Sequence, residues 1–315
     1  MASGLWMEQE IGEQPEILAT NSARFYQELS AKFEGQDYEL VLLAARGSSD
    51  NAALYARYLI EIFLGIPVTL AAPSVITKFG ASLKYPKCLA IGISQSGAAP
   101  DVSEVIAYCR RQGHATLAIT NTPGSRLTQE AEHSLLLGAG AENSIAATKT
   151  YSTSLLALAQ LVRVLGGDLG EPVLPTTEWL GSARAEAEVQ SGIVVRSAPI
   201  FTLGRGFSYC TALESALKLM ECALIPAKSY SIADFHHGPK ALAGSNSVCL
   251  AFGSEPTDGL DSAGSTVIRP HCPDHGVWTP LWEIIFAQYL ALLTARARGL
   301  DPDQAPNLKK VTETL

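Results

Sequence analysis

Charge is sparse in this chain: only 17% of its 315 residues are Asp, Glu, Lys or Arg, and the basic ones form no stripe along the sequence. With a net charge of −8 and no basic patch, the electrostatic footprint of a nucleic-acid binder is missing. No apolar run approaches the roughly 20 residues that span a bilayer; the longest, such as Ser154 to Leu165, are interrupted. The opening MASGLWMEQEIGEQPEIL has neither the basic n-region nor the apolar h-region of a signal peptide, so no membrane partner is expected and a cytoplasmic location is. The six cysteines (Cys88, Cys109, Cys210, Cys222, Cys249, Cys272) show no regular spacing, and several sit in apolar runs such as Val248-Cys249-Leu250. That pattern reads as buried, reduced thiols, not a disulfide framework. His271, Cys272, Asp274 and His275 share a loop, but adjacent ligands beside a proline match no usual zinc spacing, so no metal is expected.

What is present is core. At 47% hydrophobic, the chain can bury two ordinary cores of about 120–150 residues each. Glu39 to Ala45 (ELVLLAA) reads as a buried strand, Asn51 to Phe63 as a helix, Ile66 to Leu70 as a short strand and Cys88 to Ile93 as another. A helix over Pro100 to Gln112 and a strand over Ala115 to Ile119 follow. Short apolar runs alternating with helical periodicity predict a parallel sheet covered on both faces. The Gly- and Pro-rich stretch GGDLGEPVLPTTE, Gly166 to Glu178, reads as a linker. A helix around Leu180 to Gln190 comes next, and the alternation then restarts. Strands are expected at Ala198 to Leu203, Ser247 to Phe252 and Thr266 to Arg269, and helices at Ala212 to Leu224 and Trp282 to Ala297. The repeated pattern suggests an internal duplication, with domains at 1–170 and 171–315. The stretch SEPTDGLDSAGS is all turn chemistry, so one crossover of the second half is expected to be a loop.

Two serine-rich loops follow buried strands: Gly47-Ser48-Ser49 and Ser94-Gln95-Ser96-Gly97. In a parallel sheet both emerge at the carboxyl edge, where ligands bind. Hydroxyls and backbone N–H groups ahead of a helix suit a phosphate dianion, although Ser and Gly also serve as plain caps and turns. An acidic chain must hold an anion in this way, by oriented local donors. The stretch ENSIAATKTYSTS (Glu142 to Ser154) reads as a substrate-lining loop or as an N-cap region. Glu214, Lys218 and Glu221 stand at i, i+4 and i+7 among apolar neighbours. They share one helix face, as a surface ladder or as a half-buried acid–base set. His237, in a His-His-Gly-Pro loop, is a candidate proton shuttle, and Lys310 lies near the C-terminus.

In order along nearly the whole chain, MEQEIGEQP, ARGSSDNA, ISQSG, AATKTYST, GRGFSYCTALESALKLMEC, HHGP and NLKKVT resemble the isomerase module of glucosamine-6-phosphate synthase and stand-alone glucosamine-6-phosphate deaminases. The resemblance implies an α/β fold of two tandem SIS domains, each a flavodoxin-like αβα sandwich with a parallel sheet. It implies that Ser48, Ser49, Ser94, Gln95 and Ser96 hold the phosphate of a phosphorylated (amino) sugar, with the backbone of Ile145 and Ala146 lining the sugar. Glu221 then matches the base between C1 and C2, Lys218 and Glu214 its supporting residues, His237 the ring-opening histidine and Lys310 the lysine that engages the open-chain carbonyl. No cofactor is called for. A homodimer is expected, with His237 reaching the neighbouring subunit's site.

The chain departs from the family's pattern at Ala98 and Ala99, where relatives carry a charged residue and a hydroxyl, at Ala147 and at Asp234. It shows no glutaminase domain and no Cys at position 2, so it is not expected to draw ammonia from glutamine. The natural direction is then glucosamine 6-phosphate to fructose 6-phosphate and ammonia. Fructosamine-6-phosphate deglycase and ketose/aldose-phosphate isomerase activities would use the same residues. A phosphosugar sensor without catalysis would not need Glu221.

Overall fold

The chain opens with two helices, α1 (Leu5–Gly12) and α2 (Gln14–Phe33), before the first apolar run becomes strand β1 (Leu40–Ala44). The computed structural model describes residues 3–304 and Lys310. Helix α3 (Ser48–Phe63) follows β1; then come β2 (Val68–Leu70), α4 (Ser74–Thr77), β3 (Cys88–Ile93), α5 (Pro100–Arg111), β4 (Ala115–Thr120), α6 (Arg126–Glu130), β5 (His133–Leu136) and α7 (Lys149–Val164). The five strands form one parallel sheet in the order β2-β1-β3-β4-β5. Strand β3 is buried along its entire length, as a central strand covered on both faces must be. Strands β1 and β3 are the pair at which the strand order reverses, so the loops after them flank the crevice at the sheet's carboxyl edge.

The second half repeats the plan with fewer strands. Helix α8 (Thr177–Val194) is capped by the Thr176 hydroxyl, which accepts from the Trp179 N–H at 3.2 Å. Then follow β6 (Ile200–Gly204), α9 (Ser208–Ala223), β7 (Ala227–Ser231), α10 (Ile232–His236), β8 (Val248–Ala251), β9 (Thr266–Ile268) and α11 (Thr279–Ala297). The second sheet is parallel with the order β7-β6-β8-β9, and its order reverses between β6 and β8. Residues 253–265 carry turns and no helix, as the turn chemistry there suggested. Helix α11 is apolar all round and long enough to cross a membrane, yet 83% of its most apolar window is buried. It packs on α8 and α9, which is the setting of a core helix.

Contacts divide the chain into two units. One holds the first sheet, in Glu16–Ala141 and Lys149–Pro172; the other holds the second sheet, in residues 3–15, Glu142–Thr148, residues 173–304 and Lys310. The break after Pro172 falls within the linker stretch, while α1 and the 142–148 loop group with the second sheet. Five cysteines are buried and Cys272 is half-buried, all as free thiols.

Candidate functional site

In the first-sheet unit, β1 runs into Arg46-Gly47 and then directly into α3, whose first residues are Ser48 and Ser49. Gly47 takes φ +56°, a turn that only glycine makes without strain. The Asp50 and Asn51 N–H groups fold back onto its carbonyl at 2.9 and 3.2 Å. After β3, the Ser94 Oγ accepts from the Gly97 N–H at 3.1 Å and the Ser96 Oγ from the Ala98 N–H at 3.3 Å. Each hydroxyl that accepts in this way keeps its own proton to donate. The Gln95 carbonyl is tied back by the Thr120 hydroxyl at 3.1 Å and the Asn121 N–H at 3.0 Å. Gly97, at φ +62°, lies so close to Ser125 that a Cβ there would fall 2.1 Å from its Oγ. Any larger residue would open the turn.

A link not read from the sequence joins the two loops: Arg46 Nε pairs with Asp101 Oδ2 at 2.8 Å, and Asp101 is buried at the start of α5. Ala99 is the N-cap of α5 and supplies no side-chain cap. The two loops thus present hydroxyls, helix N-termini and a half-exposed guanidinium around one strand-order reversal, which is the chemistry of an anion site.

In the second-sheet unit, α9 carries the three charged residues on one face. Lys218 and Glu214 are fully buried, whereas the Glu221 side chain keeps 25% of its exposure. Lys218 Nζ lies 2.6 Å from Glu221 Oε2 and 3.2 Å from Glu214 Oε1. Burial works against the ammonium, but the carboxylates of Glu214 and Glu221 outweigh it and hold Lys218 above the ordinary lysine range. Lys218 therefore stays charged and fixes one carboxylate that reaches solvent beside one that does not. Cys222, next on the helix, is pushed up to about 12 by burial and remains an inert thiol.

His237 lies exposed just after α10, with its N–H on the Asp234 carbonyl at 3.0 Å. Its ring makes no hydrogen bond among the described residues. His271 is likewise far out, paired to Glu186 at 2.9 Å. Asp274 binds the Gly276 N–H and the Thr279 hydroxyl at 2.9 and 3.1 Å.

The 142–148 loop is held by side chains from distant parts of the same unit. Glu10, on α1, accepts through Oε1 from the N–H groups of Asn143 and Ser144, and through Oε2 from the Thr148 hydroxyl at 3.2 Å. Burial raises the Glu10 carboxyl above its usual range despite these donors. Glu142 takes the Thr148 N–H at 3.0 Å, and Gln288 of α11 donates to the Thr148 carbonyl at 3.2 Å. Lys310 closes the set: its Nζ sits 2.8 Å from Glu142 Oε2 and 2.8 Å from the Ser144 carbonyl. Ile145 stays partly exposed, while Ala146 is buried with its carbonyl accepting from the Ser144 hydroxyl at 2.7 Å. The rest of the NLKKVT motif lies outside the described residues. Sequence reasoning picked out Lys310, Ile145 and Ala146 but not Glu10, Glu142 or Gln288. The clue for Glu10 was its place inside the MEQEIGEQP segment.

The family model described as the SIS domain matches residues 38–164 and 194–260. The glutamine–fructose-6-phosphate aminotransferase [isomerizing] of Methanothermobacter thermautotrophicus is 31% identical over 97% of this chain and 57% of its own length. The chain thus spans somewhat over half of the curated relatives it matches. The structure of glucosamine-6-phosphate deaminase from Thermotoga maritima superposes with a TM-score of 0.77 at 25% identity, covering 98% of this chain and all of that one. The C-terminal domain of glucosamine-fructose-6-phosphate aminotransferase from Francisella tularensis gives a TM-score of 0.79, over 94% and 97% of the two chains; at 24% identity this likeness is one of fold. The strand-order reversals, the serine loops and the family match converge, and the chain belongs to the SIS domain family.

Proposed function

We propose that this chain is a phosphosugar isomerase and deaminase that converts glucosamine 6-phosphate and water into fructose 6-phosphate and ammonia. The observation that carries the reading is the Lys218 clamp. Of two carboxylates on one helix face, the buried lysine holds Glu221 at 2.6 Å with part of its surface open, and leaves Glu214 fully enclosed. A general base must reach the proton it moves, so Glu221 is the base and Glu214 supports Lys218.

The serines of the first sheet, with Gln95, hold the phosphate. His237 assists ring opening. Glu221 takes the proton from C2 of the open-chain aldehyde, giving an enolamine, and returns it to C1. The resulting 2-imine adds water at C2 and releases ammonia. Lys310, held on the Ser144 carbonyl next to Ile145, engages the C1 oxygen. No redox cofactor or metal enters these steps. A homodimer in which His237 serves the neighbouring subunit completes the reading, and the buried free thiols suit the reducing cytoplasm.

The test is deuterium incorporation from D₂O at C1 or C2 of glucosamine 6-phosphate and fructose 6-phosphate, with ammonia scored in parallel. Exchange with ammonia release supports the deaminase. Exchange with isomerised product alone turns the assignment to a ketose/aldose-phosphate isomerase, and ammonia-free turnover of a fructosamine 6-phosphate to a deglycase. Binding with no exchange on any phosphosugar replaces the enzyme with a sensor.

A further inference from the structure

The second sheet carries its own version of the turn that precedes the phosphate serines. Gly47 and Gly206 both follow an arginine, and their φ values are +56° and +59°. Register extends the correspondence. Ala44 pairs with Gly92 across β1 and β3, and Leu203 with Ala251 across β6 and β8. Stepping forward from those pairs, Ala45-Arg46-Gly47-Ser48-Ser49 corresponds to Gly204-Arg205-Gly206-Phe207-Ser208, and Ser94 corresponds to Gly253.

At this second edge a side chain already fills the crevice. Glu283, 1% exposed on the second turn of α11, accepts through Oε1 from the Ser208 hydroxyl at 3.0 Å and from the Gly253 N–H at 2.7 Å. One carboxyl oxygen therefore sits on the two positions that correspond to Ser49 and Ser94. A Cβ on Gly253 would lie 3.1 Å from the Ser208 Oγ, and Gly253 has φ +77°, so a serine here would strain the backbone and crowd Ser208. The first-sheet unit differs at the matching place. Helix α7 follows the last strand of its sheet as α11 does, but its fifth residue is Thr153, whose hydroxyl returns to the Lys149 carbonyl of its own helix at 2.6 Å.

We propose that Glu283 is a built-in occupant of an oxyanion site at the second sheet's carboxyl edge. The chain then offers one open anion edge, and vacating Glu283 uncovers a second that takes a small oxyanion such as formate, acetate or inorganic phosphate. Only the ligand class rests on reading the first edge as a phosphate cradle.

The experiment compares the full chain with Glu283→Ala in chloride, formate, acetate and phosphate at matched ionic strength. Glu283→Ala is expected to melt several degrees below the wild-type chain, and formate or acetate is expected to restore at least half of that loss while moving the wild type by less than a degree. Calorimetry with inorganic phosphate is expected to find one more site per chain in the variant than in the wild type. Equal shifts of both proteins in every salt, with no added phosphate site, overturn the proposal and leave Glu283 as an ordinary buried polar residue. If Glu283→Ala does not fold in chloride, refolding yield is the readout: recovery in an oxyanion supports the site, and equal failure in all four salts overturns it. A wild-type chain that binds no phosphosugar would sink the proposed function while leaving formate rescue of the variant intact.

Discussion

The two sheets share a topology and differ in what stands at their carboxyl edges. The first edge ends in Ser48 and Ser49 at the start of α3 and in Ser94 and Ser96, whose hydroxyls accept from the N–H groups of their own tight turn. The second keeps the arginine and the glycine turn but replaces Ser94 by Gly253, and Glu283 sits on the remaining donors. An anion site is thus defined as much by what is kept out of it as by its donors. A duplicated fold can keep the geometry and give up the binding by one buried carboxyl group. The residues proposed for acid–base work lie on α9, in the unit whose sheet edge Glu283 occupies.

That contrast breaks most visibly at Glu221. Glu221→Gln is expected to lower kcat for proton exchange by about 10²–10⁴-fold, the usual worth of a positioned general base. Phosphosugar affinity, measured by calorimetry, should stay within a few-fold. A parallel fall in affinity would mean that Glu221 belongs to the binding surface.

The next effect is one of pH. Burial pushes Glu283 from 4.5 up to about 7, against the Gly253 and Ser208 donors and with Asp274 adding to the rise; Cys272, pushed up in its turn, also faces it. Because the folded chain holds this proton more tightly than the unfolded chain does, the contribution is fully present below pH 4.5 and is lost as the pH rises through about 7. By linkage, a shift of this size spans about 3 kcal/mol. Denaturant titrations across that window should show the wild type falling relative to Glu283→Gln as pH rises. Parallel curves would place the group's titration elsewhere.

Smaller changes sharpen the contrast between the edges. Ser94→Ala removes a donor from the open edge and should weaken phosphosugar binding by about 1.5–3 kcal/mol, the value of a hydrogen bond to a charged group. Ser208→Ala at the closed edge should leave that affinity unchanged and lower the melting temperature. Equal effects of the two variants on affinity would contradict the assignment. The smallest expected effect is at Ala99, the unfurnished N-cap of α5. Ala99→Thr should add about 1 kcal/mol of stability as a cap, and a hydroxyl that also reaches the phosphate should raise phosphosugar affinity by about tenfold or more.

Much of this was legible in the sequence, for physical reasons. CLAIGI is apolar throughout because both faces of β3 are buried, and it was read at its true bounds, Cys88–Ile93. Of the four edge strands, β2 and β9 were read and two were not. Strand β5 (HSLL) and strand β7 (AKSYS) are partly exposed, so their apolar pattern is too weak to stand out. Helix α9 begins at Ser208, four residues before the apolar periodicity that marked it, because its first turn is chosen by the Gly206 bend. Glu214, Lys218 and Glu221 could be placed on one face by spacing, but which carboxylate keeps contact with water depends on packing that spacing does not encode. The Glu10 and Lys310 anchors of the 142–148 loop join residues more than a hundred positions apart, beyond the reach of any local pattern. Glu283, a single acid in an apolar helix, looked like nothing in particular.

The way the chain threads its two units bears on how it can be cut. Residues 3–15 and Glu142–Thr148 belong with the second sheet although they precede the break after Pro172. A nick at that break would yield an N-terminal piece with α1 and the 142–148 loop severed from their partners, and a C-terminal piece without them. Among the described residues the N-terminal piece carries the whole first-sheet unit, whereas the C-terminal piece lacks part of its own. Co-expressed, the two should behave as a complementation pair that completes the second-sheet unit only on reassociation, so the linker marks a seam in composition and not a point of clean separability.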